Sequence, residues 1–75
     1  MPYIDLQATG LNIKTLLKAA NITVKEMAEF LGFTSAYPVY KWINGQNMPT
    51  LDNLVVLADK LGVGIDAIVI VKRTT

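Results

Sequence analysis

Apolar residues recur three or four positions apart along most of the chain and form β-type runs only near its two ends. In the first helical stretch, Lys14 and Lys18 fall on the side opposite to the apolar residues. We expect this helix to begin at Thr9, whose hydroxyl can cap it, and to run to about residue 20. Its apolar side comprises Ile13, Leu16, Leu17 and Ala20.

A second helix has a sharper start signal. Thr23 and Glu26 have the spacing of a capping box, in which each side chain accepts a hydrogen bond from the other residue's backbone N–H. Ile22 and Met27 stand at the two positions of a hydrophobic staple, and Gly32 suits the left-handed conformation that ends many helices. The apolar stripe of this helix consists of Val24, Met27, Ala28 and Leu31.

A third helix is predicted between Ser35 and the turn-forming pair Asn44-Gly45. If Ser35 is the N-cap, Pro38 lies in the first turn, where its missing N–H has no intrahelical partner to lose. Pro38 also disfavours helical dihedral angles at Tyr37. A start two residues later, with Tyr37 as the cap, is therefore the alternative.

The fourth predicted helix opens at Thr50, directly after Pro49, and ends at Gly62. A short fifth helix is expected over residues 65–68. The positions of the fourth helix that we expect to face inward are Leu51, Leu54, Val55, Ala58 and Leu61.

The two ends of the chain have β-type composition. Residues 68–71 read Ile-Val-Ile-Val, a segment that promotes aggregation when it is left open, and residues 3–6 are its natural partner strand. The two segments can pair within one chain or between two chains, and pairing between chains would give a dimer. The alternative is that the tail simply packs into the core.

The third helix has two different faces when its residues are placed at intervals of about 100°. One face carries Val39, Trp42 and Ile43, and we expect Trp42 to be buried there against the second and fourth helices. The opposite face carries Tyr37, Tyr40, Lys41 and Asn44. This polar and aromatic stripe is either a binding surface or an ordinary solvated helix face.

Composition limits the classes of function. The chain has 75 residues, 52% of them hydrophobic, a net charge of +1, and neither cysteine nor histidine. These numbers predict one small domain over residues 1–75, without disulfides, metal ligands of the usual kind or a cofactor. Because its carboxylates are scattered, we do not expect an enzyme. The longest apolar run, residues 67–71, is too short to span a membrane, so we expect a cytoplasmic protein.

Ala28, Gly32 and Val39 have the spacing of a helix-turn-helix, in which the small residue allows close approach, the glycine takes the turn and the aliphatic residue locks the second helix. Together with further residues in the third and fourth helices, these three make the chain resemble the phage Cro/repressor-type, or XRE, helix-turn-helix family over about residues 13–68. The resemblance implies an all-α, compact five-helix lambda-repressor-like domain with its helix-turn-helix at about residues 23–44. The supporting residues are Trp42, Asn44-Gly45, Pro49-Thr50, Leu54, Leu57-Ala58 and Leu61-Gly62-Val63.

The resemblance also implies which residues meet DNA. The base-reading positions are Ala36, Tyr37, Tyr40 and Lys41. The resemblance places Thr23, Lys25, Gln46 and Asn47 at phosphate-contacting positions. We add Ser35 as a candidate phosphate contact, together with Asn44, which either caps the end of the helix or meets a phosphate. The helical wheel supports the base-reading set except for Ala36, which it places at the edge of the buried side. The chain departs from the family pattern by one additional residue between Gly32 and Gly45 and by Pro38 in the first recognition turn.

The resulting functional prediction is a sequence-specific DNA-binding transcriptional regulator, a small prokaryotic or phage repressor whose third helix reads the major groove of double-stranded operator DNA. We expect it to act as a homodimer on two adjacent half-sites. The alternative is an antitoxin or other protein-binding module with the same fold and a toxin as its partner. Exposed tyrosines suit such a protein interface, and the nearly neutral net charge favours it.

Overall fold

The computed structural model describes residues 1–74. Within these residues the chain forms four α-helices, one 3-10 turn and a two-stranded antiparallel sheet. The elements are β1 (Pro2–Ile4), α1 (Leu6–Ala19), α2 (Val24–Phe30), α3 (Tyr37–Ile43), α4 (Leu51–Leu61), the 3-10 turn (Ile65–Ala67) and β2 (Val71–Arg73). The prediction of a fifth helix over residues 65–68 is therefore wrong, because this segment forms only a 3-10 turn. The segment is a single turn, because the chain leaves it after the buried Ile68 and extends toward β2.

The first helix begins earlier than predicted. Asp5, in extended conformation after β1, is the N-cap of α1, and its carboxylate accepts a hydrogen bond of 2.9 Å from the Ala8 N–H. Thr9 is not a cap, because it lies inside the helix and is almost completely buried. Its hydroxyl instead accepts a hydrogen bond of 2.9 Å from the N–H of Ile70. Thr9 thus ties the first helix to the C-terminal segment.

Gly10 allows α1 and α3 to approach each other almost backbone to backbone. A Cβ atom at this position would collide with the carbonyl oxygen of Trp42 and lie 2.6 Å from that of Ile43. A residue with any side chain would force the two helices apart. The α1–α3 contact therefore depends on a glycine whose role has no local sequence signal.

The capping box of α2 is confirmed. The Thr23 hydroxyl accepts a 3.0 Å hydrogen bond from the Glu26 N–H, and the Glu26 carboxylate accepts a 2.9 Å bond from the Thr23 N–H. The bond from the Thr23 N–H is the main reason that the pKa of Glu26 is lowered. Gly32 follows the helix in the left-handed region with φ of 79°. Met27 and Ala28 are buried, so α2 packs as its apolar stripe predicts.

Neither predicted cap of α3 occupies the N-cap position, which belongs to Ala36 and has no side-chain hydrogen bond. The Ser35 hydroxyl lies one residue too early and accepts a 3.3 Å bond from the N–H of Tyr37. Tyr37 is the first helical residue, so the restriction that Pro38 places on it is overcome by the surrounding packing. The helix consequently begins one residue later than the longer of the two predictions.

The inward face of α4 is centred differently from the prediction. Leu54 and Leu57 are buried, whereas Leu51 is 70% exposed and Val55 is 54% exposed. The face turned to the core runs through Leu54, Leu57 and Leu61, and at helical spacing Leu51 and Val55 fall beyond its edge. The Thr50 cap and the end at Gly62 are confirmed.

One hydrophobic core joins the helices. Trp42 is 5% exposed, and its ring meets that of Phe33 edge to face, with 5.8 Å between centroids. The main packing partners of α3 are α1 and α2, and Leu54 and Leu57 of α4 belong to the same core cluster as Trp42. The buried core residues are Ile13, Leu17, Met27, Ala28, Val39, Trp42, Leu54, Leu57 and Ile68.

The two ends of the chain pair with each other inside one molecule. Pro2 lies opposite Arg73 and Ile4 lies opposite Val71 in the antiparallel ribbon. The predicted strand at 68–71 starts three residues too early, because Ile68 is fully buried in the core. A salt bridge of 3.1 Å between Asp5 and Lys72 fastens the ribbon to the start of α1.

Candidate nucleic-acid interface

The outer face of α3 presents the stripe that the helical wheel predicts. Tyr37 is 66% exposed and Tyr40 is 50% exposed, while Val39 on the opposite side is completely buried. Asn44 is exposed at the end of the helix, and Lys41 is half-buried beside the tyrosines. The buried side anchors the helix, so the stripe is held in a fixed orientation.

Lys41 is supported by its neighbour one turn earlier. Its Nζ atom lies 5.6 Å from the centroid of the Tyr37 ring, a cation–π contact that holds the ammonium group at the surface. Among residues 1–74, Lys41 forms no salt bridge. Its positive charge is therefore available to a ligand.

Ala36 lies at the margin of this stripe. It is half-buried and packs against the core, as its place on the helical wheel indicates. It shares a shallow depression of about 240 Å³ between α2 and the start of α3 with Lys25 and Ser35. The structure thus brings together three predicted DNA-contacting residues on one flank of the stripe.

A second depression lies on the other flank, between α1, the start of α2 and the end of α3. We call it the lysine groove, and its volume is about 570 Å³. Its polar lining consists of Lys14, Lys18, Asn21, Thr23, Tyr40 and Asn44. The two lysines are not among the predicted site residues. Their position on the polar side of the first helix was visible in the sequence, but their proximity to α3 depends on the α1–α3 crossing at Gly10.

Thr23 uses part of its hydrogen-bonding capacity within the capping box. Its N–H donates to the Glu26 carboxylate, and its hydroxyl oxygen accepts from the Glu26 N–H. The hydroxyl hydrogen remains free to be donated outward. Lys25, two residues further along, is exposed. The start of α2 can therefore offer a hydroxyl and an ammonium group to an anion.

Gln46 and Asn47 lie exposed in the loop after α3. The loop begins at Gly45, which has φ of 74° and lies so close to α1 that an added Cβ would be 3.0 Å from the Cα of Gln7. The N–H of Gln46 donates to the Lys41 carbonyl at 2.9 Å and closes the helix end. Both side chains are thus presented by a loop that is fixed at its first residue.

The polar groups of this surface are mainly neutral and cationic, and the Glu29 carboxylate lies beside the depression that Lys25 and Ser35 line. Within the described part of the chain, no group of three or more histidine, cysteine, aspartate or glutamate side chains is placed to hold a metal ion. No helix among residues 1–74 has the length and apolar character needed to cross a bilayer. The arrangement suits recognition of a polar, negatively charged partner.

Comparison with known families gives one result. The model of a helix-turn-helix family matches residues 13–68, which include α2, α3 and the turn between them. No curated protein and no solved structure gives a significant match to the chain.

Proposed function

Because the chain belongs to the XRE-type helix-turn-helix family of DNA-binding domains, we propose that it is a sequence-specific transcriptional regulator whose α3 reads the major groove. The observation that carries this proposal is the stripe of exposed Tyr37 and Tyr40 and half-buried Lys41. The helix that presents it is anchored by the buried Val39 and Trp42. A helix presented in this way can enter a groove without losing its packing.

The stripe contains suitable groups for base edges. The Lys41 ammonium group can donate to O6 or N7 of guanine. Each tyrosine can donate its hydroxyl and place its ring against a thymine methyl group. Ala36, half-buried at the edge, contributes at most an apolar contact from its methyl group.

Phosphate contacts come from both flanks of the stripe. On one flank Lys25 and Ser35 lie beside a common depression, and on the other Thr23 and Asn44 line the lysine groove. Gln46 and Asn47 follow in the loop. Contacts of this kind fix the position of a protein on the duplex and carry no base information.

We propose that the whole chain acts as one DNA-binding unit and that two copies bind adjacent half-sites as a homodimer. The net charge of +1 gives one copy little sequence-independent attraction to DNA. Two copies on half-sites about 34 Å apart double the contacts along one face of the duplex. Binding of this kind over a promoter would repress transcription.

One observation favours a second candidate function. Two large, exposed tyrosines on one short helix suit a protein-binding surface, because tyrosine is enriched among residues that dominate protein interfaces. In this reading the chain is an antitoxin, and α3 contacts a toxin protein.

The decisive experiment selects the preferred duplex from a random DNA library and titrates the protein against it and against a scrambled duplex. We expect saturable binding to the selected duplex and much weaker binding to the scrambled one. Equal affinities for both duplexes would contradict sequence-specific reading and leave the protein-binding function as the better proposal.

A further inference from the structure

The lysine groove combines an apolar floor with a positively charged rim. We propose that it binds an amphipathic organic anion, a small molecule with a carboxylate group and an apolar body. We further propose that this ligand and DNA exclude each other, a part of the inference that rests on the proposed function.

The floor of the groove consists of aliphatic side chains from three elements. Leu17 of α1 is buried, whereas Ile22, Val24 and Ile43 are half-buried and keep part of their surface open to the groove. Water over such a floor is displaced favourably by an apolar group. A phosphate group alone has no apolar part with which to use this surface.

The rim selects the charge of the ligand. Lys14 and Lys18 are exposed, lie one turn apart on α1, and form no salt bridge among residues 1–74. The residues that line the groove include no aspartate or glutamate. A carboxylate above the floor would therefore meet two ammonium groups and the amide of Asn21. The nearby Glu26 carboxylate is not among the lining residues and is bonded to the Thr23 N–H.

The size of the groove favours a small molecule. Its volume of about 570 Å³ lies within the range of about 300–1,000 Å³ that is usual for small-molecule sites. A straight-chain or aromatic carboxylic acid places its apolar body on the floor while its head group reaches the rim. We therefore propose a straight-chain or aromatic carboxylic acid as the ligand of the groove.

The groove shares residues with the proposed DNA-contacting surface. Tyr40, Asn44 and Thr23 line it and also belong to the predicted base- and phosphate-contacting sets. A ligand in the groove would compete with DNA for these three side chains. The expected effect is release of DNA without any movement of the fold.

The test uses the ¹⁵N-labelled full chain and three probes: decanoate below its micelle concentration, the uncharged analogue 1-decanol, and inorganic phosphate. We expect decanoate to shift the amide signals of residues 17–24 and 40–44 saturably, with decanol and phosphate binding at least roughly tenfold more weakly.

Matched variants identify the rim. The double variant Lys14→Gln/Lys18→Gln should weaken decanoate binding roughly tenfold, because it removes two charged donors. Lys60→Gln is the control, since Lys60 lies over the Phe30 ring on another face, 4.6 Å from the ring centroid. An unchanged affinity in the double variant, or signal shifts at other residues, would overturn the proposal.

The remaining outcomes distinguish a failure of the ligand proposal from a failure of the proposed DNA-binding function. If phosphate binds the groove as tightly as decanoate does, the site is a simple anion patch and the amphipathic ligand is wrong. If decanoate binds as proposed but the selected duplex is not bound at all, the groove proposal stands and the proposed DNA function fails. Where both bind, decanoate should raise the apparent Kd for DNA in wild type and much less in the double variant.

Discussion

Lys41 and Lys25 both carry a positive charge near α3, but their positions predict different roles. Lys41 lies within the stripe beside Tyr37, whereas Lys25 lies on the flank formed by α2. We expect Lys41→Ala to cost about 1–3 kcal/mol at the preferred duplex and to relax the preference at one base position. Lys25→Ala should weaken binding to all sequences alike. Titrations against selected and scrambled duplexes measure both effects.

Lys60→Ala is the control for these two variants, because its ammonium group stacks on Phe30 away from the stripe. Thermal stability of the Lys41 and Lys25 variants should stay close to wild type, since neither side chain belongs to the core. If Lys41→Ala leaves both DNA affinities unchanged but abolishes capture of a protein partner, α3 is a protein-binding helix.

At Gly10, helix propensity and tertiary packing have opposite effects on the stability of a Gly10→Ala variant. On propensity alone, Gly10→Ala should stabilise α1 by roughly 1 kcal/mol. The added methyl group, however, would collide with the carbonyl oxygen of Trp42. We expect a net loss of about 1–3 kcal/mol in the free energy of unfolding, because the α1–α3 contact must open.

Urea unfolding of Gly10→Ala measures this loss, and Leu11→Ala, at the exposed neighbouring position, serves as control. A gain in stability from Gly10→Ala would mean that the two helices do not approach as closely as described.

The first turn of α1 predicts a dependence of folding stability on pH. The pKa of Asp5 is lowered, mainly by the hydrogen bond from the Ala8 N–H and secondly by the interaction with Lys72. A carboxyl group whose pKa is lower in the folded state stabilises the fold above its unfolded pKa, about 3.9, and loses that contribution as the pH falls through the lowered folded value. The pKa of Glu26 is lowered by the hydrogen bond from the Thr23 N–H, so Glu26 also contributes stability that is lost on acidification.

The corresponding measurement compares urea midpoints at neutral pH and below pH 4. Asp5→Asn should be less stable than wild type at neutral pH and should lose less stability on acidification. Glu29→Gln removes an exposed carboxylate that has no salt bridge among residues 1–74, and it should follow the wild-type profile. A pH profile of Asp5→Asn parallel to wild type would contradict the role of Asp5.

The sequence predicted those elements whose signals are local. The capping box at Thr23 and the end at Gly62 each depend on residues within one or two turns. The predicted start of α1 at Thr9 is wrong because the Thr9 hydroxyl accepts a hydrogen bond from the N–H of Ile70, far along the chain. The predicted inward face of α4 is partly wrong because the hydrophobic pattern does not distinguish the exposed Leu51 from the buried Leu57.

In the candidate site, too, only the part that depends on local sequence could be predicted. The stripe on α3 follows from helical periodicity within one short segment, so the exposed positions of Tyr37 and Tyr40 could be predicted. The lysine groove could not be predicted, because it forms only where three separate elements meet. The position of Lys14 and Lys18 relative to Tyr40 depends on tertiary packing.

The proposed homodimer predicts a spacing rule for its operator. Two half-sites one helical turn apart present the same face of the duplex to both copies. Inserting about five base pairs between them turns one half-site by half a turn, so we expect a large loss of affinity. An insertion of about ten base pairs restores the face and is the matched control.

Titration by gel shift and the mass of the complex in solution measure this effect. We expect two chains per selected duplex in the wild-type spacing. One chain per duplex, with equal affinity at every spacing, would show that the protein reads a single site as a monomer.

The terminal ribbon also governs when the chain can finish folding during its synthesis. The helices α2 and α3 are complete by residue 43, but the partner of β1 is not made until residue 73. At roughly 5–20 residues per second, a ribosome needs on the order of seconds to cover that distance. Over that interval Asp5 lacks Lys72 and the Thr9 hydroxyl lacks the Ile70 N–H. The residues of α2 and α3 are therefore synthesised before the long-range closure that secures α1 becomes possible.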